Sequence, residues 1–254
     1  MNVSPELQAA LDAAKEAAAI ARSLYQRNLE IRLKEDKSPV TEADVRCEVA
    51  IREILELRFP AYGFFGEETG SRGVDAESLW LVDPIDGTKA FVREYPMFST
   101  QIALMRRGEI VLGVSSAPVY GELAYAERGR GAYLNGKRVA VSDIASIESA
   151  ALSSGNLKSL ASGGGWAAYG ALVARVGRIR GYGDFLHYHL LAAGKIDVVV
   201  ESDVNILDIA AAVAIVTEAG GRFTDLSGKP VTLATTSVLA SNGRLHDEVA
   251  AALG

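Results

Sequence analysis

Leu79-Trp80-Leu81-Val82-Asp83-Pro84-Ile85-Asp86-Gly87-Thr88 is the stretch on which the reading of this chain turns. Four apolar residues, Leu79 to Val82, read as a buried strand that delivers Asp83 and Asp86 to its carboxyl end. Pro84 stiffens the turn between the two acids, and Gly87-Thr88 open a helix expected over Thr88 to Tyr95. Paired carboxylates offer hard oxygen ligands to a divalent cation, and the free N–H groups of a helix start suit an anion such as phosphate. The same residues also serve plain turn chemistry, since Asp-Pro and Asp-Gly are ordinary turn signals and Asp commonly caps helices. The rest of the chain has to decide between them.

With 254 residues, the chain can form one large core or two sub-domains that share it. A net charge of −6 argues against a general nucleic-acid binder, because polyphosphate backbones require a basic face. It leaves room for a small phosphorylated ligand, since a bound metal inverts the local field. Cys47 is the sole cysteine, so no internal disulfide can form, and a core thiol in a reducing cytoplasm is expected. Glu6, Asp12, Lys15 and Glu16 near the start argue against a secretory signal, and no apolar run is long enough to span a membrane.

The first helix is predicted from Pro5 to about Gln26, capped by Ser4. Arg32 to Pro39 reads as charged and irregular. Thr41 starts a second helix, with Val45, Val49, Ile54 and Leu57 expected to face inward. Tyr62 to Gly66 is a predicted strand feeding Glu67-Glu68. Beyond the central motif comes a β meander: Gln101–Met105, Ile110–Val114, Glu122–Ala126, Ala132–Leu134 and Lys137–Val141, with Asn135-Gly136 as a hairpin turn. The later part alternates strand and helix. Strands are expected at Ala150–Ser153, Ile179–Gly183, Asp197–Glu201, Arg222–Asp225 and Val238–Ser241. Helices are expected near Trp166–Val176, Phe185–Ala193, from Asp208 to the Gly220-Gly221 stop, and from Leu245 onward. Ser162 to Gly165 reads as a flexible loop. The change of pattern near 140 to 150 divides the single domain 1–254 into sub-domains of approximately 1–143 and 144–254.

Acidic side chains recur where loops meet regular elements: Asp44, Glu67 with Glu68, Asp83 with Asp86, and Asp208. Taken singly, each has a plain role. Thr41 to Asp44 fits a capping-box variant, Glu67-Glu68 a solvated loop, and Asp208 a first-turn acid that complements the helix dipole. Taken together, three of the four clusters sit beside strand ends or helix starts, where open α/β architectures gather ligands. No G-x-x-x-x-G-K-[ST] loop, complete dinucleotide fingerprint or G-x-S-x-G elbow is present. His187 and His189 are two residues apart, which sends them to different helix faces and makes a zinc pair a poor fit. Phosphatases of the haloacid-dehalogenase type place two aspartates two apart and form an aspartyl phosphate. The three-residue step from Asp83 to Asp86 favours both acids as metal ligands instead.

Gly66-Glu67-Glu68, Trp80 to Thr88, and Asp208 to Gly221 together resemble the signatures of the inositol monophosphatase family, in order and spacing, over essentially the whole chain. The resemblance implies a layered α/β/α/β/α fold of the α/β class and hydrolysis of a phosphate monoester by metal-activated water. It implies roughly two or three Mg²⁺ ions, or Mn²⁺ in their place. Matched residue by residue, it makes Glu67, Asp83, the Ile85 carbonyl, Asp86 and Asp208 metal ligands, with Asp44 holding a further metal or its water. Thr88 and Glu67 would orient the attacking water, and the Gly87 and Thr88 amides would cradle the phosphate. Lithium sensitivity, a homodimer and a cytoplasmic location are what the family leads one to expect.

Gly181 to Phe185, Val200-Glu201-Ser202 and Lys89 to Arg93 resemble the histidinol-phosphatase branch, in which Asp184 and Glu201 would contact substrate. Histidinol phosphate carries an amine and an imidazole, so two carboxylates at the mouth make electrostatic sense. Asp184 as a simple helix cap remains the alternative. Many relatives have tryptophan where this chain has Leu207, which alters the expected pocket wall. The leading expectation is therefore hydrolysis of L-histidinol phosphate. An inositol-1-monophosphatase or a broad-specificity sugar or nucleotide phosphatase comes next, and a regulatory protein with residual metal binding last.

Overall fold

Pro5 sits at the first helical position and the Ser4 hydroxyl accepts from the Leu7 N–H at 3.0 Å, which starts α1 (Pro5–Leu24) where the sequence places it. The structure, a computed structural model, describes residues 3–27, 31–33 and 39–254. Short strands β1 (Ile31–Leu33) and β2 (Pro39–Thr41) pair antiparallel, while residues 34–38 of the expected irregular segment lie outside the described residues. Then come α2 (Glu42–Arg58), β3 (Gly63–Gly66), β4 (Ser71–Arg72), β5 (Ser78–Asp86) and α3 (Thr88–Val92). The meander follows as β6 (Ser99–Arg106), β7 (Glu109–Ala117), β8 (Glu122–Glu127), β9 (Gly131–Leu134) and β10 (Lys137–Val139). Its last turn places Asn135 and Gly136 at φ 49° and 75°, as a tight hairpin turn requires. The remaining elements are β11 (Ala151–Ser154), α4 (Lys158–Ser162), α5 (Trp166–Arg175), β12 (Arg178–Arg180), α6 (Asp184–Ala192), β13 (Val198–Ser202), α7 (Ile206–Glu218), β14 (Arg222–Thr224), β15 (Ser237–Ser241) and α8 (His246–Leu253).

Eight strands form one sheet in the order β10-β9-β8-β7-β6-β5-β3-β4, antiparallel except where β3 lies parallel to β5. Five form a second, in the order β12-β11-β13-β15-β14. Strand alternation sets the layers. Trp80 and Val82 of β5 face the core shared with α1 and α2, while Leu79 and Leu81 face the core shared with α6 and α7. On β13, Val199 points into that same inner core, whereas Val198 and Val200 point outward to α5 and α8. The result is helices, sheet, helices, sheet, helices, the layered α/β/α/β/α arrangement that the resemblance implies. Trp80, 1 % exposed, anchors the first layer, and losing such a ring costs about 3–5 kcal/mol.

Two features of the large sheet position the acids. Because β3 and β5 run parallel with Gly66 opposite Val82, the next residues, Glu67 past the end of β3 and Asp83 on β5, come side by side. Along β5, residues three apart would face opposite sides of a regular strand. The pairing with β6 slips by one residue here, Asp83 opposite Gln101 but Asp86 opposite Ser99, so the bulge at Pro84-Ile85 brings Asp86 back to the side of Asp83. Pro84 has no N–H to leave unpaired in the bulge, and its carbonyl accepts from the Thr100 hydroxyl at 2.9 Å.

The inward face of α2 differs from the expectation. Val45, Val49 and Leu57 are 43 %, 41 % and 84 % exposed, and of the four residues expected to face inward only Ile54 packs against the core. The buried face is Ala43, Asp44, Cys47, Glu48, Ile51 and Leu55. Two acids interrupt that face, so its apolar periodicity is hidden, while the apolar residues that repeat in the sequence point outward. Cys47 is buried as expected, its thiol 3.5 Å from the Ala17 carbonyl and pushed up to about 12 by burial. Other differences are small: α3 is shorter than expected, Lys158–Ser162 forms a helical turn, and α7 starts two residues before Asp208.

Helix α7 fills the space between the sheets by lying directly on β7. A Cβ added at Gly113 would sit 2.4 Å from the Ala211 carbonyl oxygen. Gly113→Ala should therefore force α7 away from the sheet and destabilise the protein by about 1–3 kcal/mol in chemical denaturation. A change under about 0.5 kcal/mol would show that the helix and sheet yield freely here.

Candidate metal centre

The carboxylates of Asp83, Asp86 and Asp208 each place an oxygen within 4.8 Å of the others'. Three elements deliver them. Asp83 ends the regular part of β5, and its Oδ1 accepts from the Ile85 N–H at 2.9 Å, which turns the chain into the bulge. Asp86, past the bulge, accepts from the Ser99 hydroxyl at 3.2 Å. Asp208 is the third residue of α7, in a capping box. The Asn205 side chain accepts from Leu207 N–H, while Asp208 accepts from the Asn205 N–H at 2.8 Å and from its side-chain amide at 2.7 Å.

Electrostatics mark the cluster as a place for a cation. Burial raises the Asp83 carboxyl well above its ordinary value, and the charges of Glu67, Asp86 and Asp208 raise it further. Burial also raises Asp86, reinforced by Asp184, Asp208 and Glu201. Asp208 is pushed up to about 7 by burial, with Glu67 and Glu201 adding to the shift. Acids that raise one another in this way are mutually repelled anions, and a divalent cation bound among their oxygens would relieve the repulsion. The all-oxygen donor set fits a hard cation of the Mg²⁺ or Ca²⁺ kind rather than a thiolate- or imidazole-preferring metal.

The structure also places the remaining candidate residues. Glu67 is exposed at the end of β3, close enough to Asp83 to act on its charge. Glu68 follows it, its N–H donating to Glu48 at 2.9 Å. Asp44 is buried on α2 and raised by that burial. Its Oδ2 accepts from the Thr41 N–H and hydroxyl, and its Oδ1 from the Thr88 hydroxyl at 3.0 Å. The Thr88 hydroxyl also lies 3.0 Å from the Ile85 carbonyl oxygen, so Asp44, Thr88 and Ile85 form one connected group. Gly87 precedes α3 at φ 91°, and a Cβ there would meet the Met97 carbonyl at 2.5 Å. The capping box predicted at Thr41 to Asp44 is present, so capping and the contact to Thr88 are performed by the same carboxylate.

Across the centre, Asp184 and Glu201 both act on Asp86. Asp184 is the first residue of α6, at φ 45°, a left-handed conformation that Asp tolerates better than most residues. It is pushed up to about 6, by burial first and Glu201 second. Glu201 is buried and engaged on both oxygens. Oε1 accepts from the Asn156 N–H at 3.1 Å and Oε2 from the Tyr188 hydroxyl at 2.8 Å, with His187 Nε2 at 3.2 Å. Burial raises Glu201, but His187 and Tyr188 more than offset this and hold it below the usual carboxylate value. His187 and His189 go to different partners, as their spacing predicts: the ring of His189 bridges Glu122 and Ser115 at 2.8 Å each. Leu207, expected to alter the pocket wall, is buried in the core between the sheets.

Sequence reasoning missed Glu48, Ser99, Asn156 and Tyr188, which hold the candidate residues in place. Glu48 had a signal, four residues after Asp44 and hence on the same helix face. The other three are brought in only by the pairing of β5 with β6 and by the packing of α6 and the loop after β11 against β13.

The model of the inositol monophosphatase family matches residues 2–254. A histidinol-phosphatase of Mycobacterium tuberculosis is 41 % identical over 227 residues, covering 87 % of each chain. A fructose-1,6-bisphosphatase/inositol-1-monophosphatase of Thermotoga maritima is 38 % identical, covering 84 % of this chain and 81 % of its own. Among solved structures, the extragenic suppressor protein suhB of Bartonella henselae superposes with a TM-score of 0.90 at 32 % identity, covering 98 % of both chains.

The raised acids set the pH response of the metal-free protein. Asp184 at about 6 and Asp208 at about 7 both lie above the ordinary value of 3.8. The stability each contributes is complete below about pH 4 and is lost as pH rises through about 6 to 7. With chelator present, the melting temperature should fall between about pH 5 and about pH 7.5, and Asp208→Asn should flatten that fall. A flat or rising profile for the unsubstituted protein would refute the repulsion described above.

Proposed function

The chain belongs to the inositol monophosphatase family and is a phosphoric monoester hydrolase, and from that premise we propose that it uses Mg²⁺ to hydrolyse L-histidinol phosphate. The observation that carries the metal assignment is the convergence of Asp83, Asp86 and Asp208 within 4.8 Å. In this reading Glu67, Asp83, Asp86, Asp208 and the Ile85 carbonyl hold metal, and Asp44 holds a further ion or its water. Held there, Mg²⁺ would supply a lowered pKa for a bound water and neutralisation of charge on the ester. Glu67 and the Thr88 hydroxyl orient that water for in-line attack, and the Asp44 carboxylate, 3.0 Å from Thr88 Oγ1, fixes the hydroxyl. The Gly87 and Thr88 amides, at a helix start where N–H groups have no partner within the helix, receive the phosphate oxygens. Residues 1–143 supply most of this set and 144–254 supply Asp208, Asp184 and Glu201, so the two parts act as one domain.

Substrate choice rests on Asp184 and Glu201. Both act electrostatically on Asp86, so both border the centre, and together they favour a leaving alcohol that carries positive charge. Glu201 is already held by Asn156 and Tyr188, which leaves Asp184 as the group freer to meet an ammonium. The 41 % identity to a histidinol-phosphatase supports the same substrate. Hydrolysis of inositol-1-phosphate is the second reading, favoured by the 38 % identity to the Thermotoga enzyme.

Phosphate release measured with Mg²⁺ should give kcat/KM for histidinol phosphate at least about tenfold above that for inositol-1-phosphate. A smaller preference ends the substrate assignment and leaves the metal assignment standing. Asp184→Ala should lower kcat/KM for histidinol phosphate more than for inositol-1-phosphate, and equal losses would remove Asp184 from recognition. Asp86→Asn should abolish turnover while the protein still melts cooperatively; retained turnover would overturn the metal assignment.

A further inference from the structure

We propose that Glu48 is a positioning residue for the metal centre, setting the Glu67 carboxylate by clamping the two peptide units that follow it. The inference rests on the reading of Glu67 as a metal ligand.

Glu48 has no exposed surface, and both of its carboxylate oxygens turn to the same loop. Oε2 accepts from the Glu68 N–H at 2.9 Å. Oε1 accepts from the Thr69 N–H at 2.5 Å and the Thr69 hydroxyl at 2.6 Å. A carboxylate takes such bonds more strongly than a neutral acceptor does, and their loss would strand a buried charge. Arg52, one turn further along α2, donates to the Thr69 carbonyl at 3.2 Å and to its hydroxyl at 3.1 Å. Thr69 is thereby gripped from both ends of its peptide unit by a single helix.

Neighbouring backbone leaves room for this grip. A Cβ at Gly66 would lie 2.4 Å from Glu48 Oε1, so only glycine lets the carboxylate pass beneath the strand end to the loop. Glu48 also lies one turn after Asp44, which contacts Thr88. One face of α2 therefore presents a buried acid to each of two loops, one carrying Glu67 and the other Thr88. That arrangement explains why a helix in the core of a folded protein keeps two carboxylates on its inner side. Glu67 stands close enough to Asp83 and Asp208 to act on both, so the place where the clamp holds its loop sets where its carboxylate meets them.

The test measures Mn²⁺ binding by electron paramagnetic resonance on the full chain and compares the unsubstituted protein with Glu67→Gln, Glu48→Gln, the double variant and Thr69→Val. Glu67→Gln and Glu48→Gln should each weaken binding by at least about tenfold. The double variant should bind no more weakly than Glu67→Gln alone, because Glu48 acts through Glu67. Hydrogen exchange at the Glu68 and Thr69 amides should quicken in Glu48→Gln, with the β5–β6 amides unchanged. Unaltered Mn²⁺ affinity in Glu48→Gln alongside weakened binding in Glu67→Gln overturns the inference and spares the metal assignment. Additive losses in the double variant also overturn it, as those of a merely structural residue. Unaltered affinity in Glu67→Gln instead overturns the ligand reading on which the inference stands. If Glu48→Gln does not fold, Thr69→Val, which deletes only the hydroxyl, decides: a weakening of about threefold or more supports the clamp, and a smaller one overturns it.

Discussion

Mutual repulsion among Asp83, Asp86 and Asp208 is the constraint around which this molecule is built, since their oxygens are held within 4.8 Å in a largely buried setting. Like charges so placed raise one another's pKa and tend to drive their carriers apart. Each of the three is consequently tied down by its own hydrogen bond: Asp83 by the Ile85 amide, Asp86 by Ser99, and Asp208 by Asn205. These ties lie on rigid elements, two from the large sheet and one from α7. The folding energy of the layers is what holds the charges in place, and a cation bound among them would turn the opposed charges into ligands.

Strand mechanics deliver that geometry economically. Parallel pairing of β3 with β5 sets Glu67 next to Asp83, and the bulge at Pro84-Ile85 returns Asp86 to the same side. The close approach of α7 at Gly113 fixes where Asp208 arrives. Inner-core packing of Leu81, Val199, Ile209 and Ala211 joins the two sheets through α7, so the centre has one rigid wall from each half.

The opposite wall is polar and differently organised. Glu201 is locked by Asn156 and Tyr188, while Asp184 stands at the start of α6 in a left-handed backbone. A fixed acid and a freer one thus stand beside the same Asp86 and add to its negative surroundings. Leu207 lies in the inner core with Leu81, Val199 and Ile209.

The resemblance to a known family implied the layered α/β architecture, while the residues by themselves determined the order of nearly every element, the hairpin at Asn135-Gly136 and the acids worth suspecting. The latter features are local: apolar periodicity, turn chemistry and motif spacing are written in adjacent residues. The sequence misjudged the inner face of α2, because Asp44 and Glu48 break the apolar pattern there while Val45, Val49 and Leu57 repeat it on the wrong side. Tertiary structure alone decided that Asp86 shares a side with Asp83, that Glu48 reaches the Glu67 loop, and that Glu201 is occupied by Tyr188. Each of these depends on a partner that the local sequence does not name: the neighbouring strand β6 for the bulge, the loop after β3 for Glu48, and α6 for Glu201.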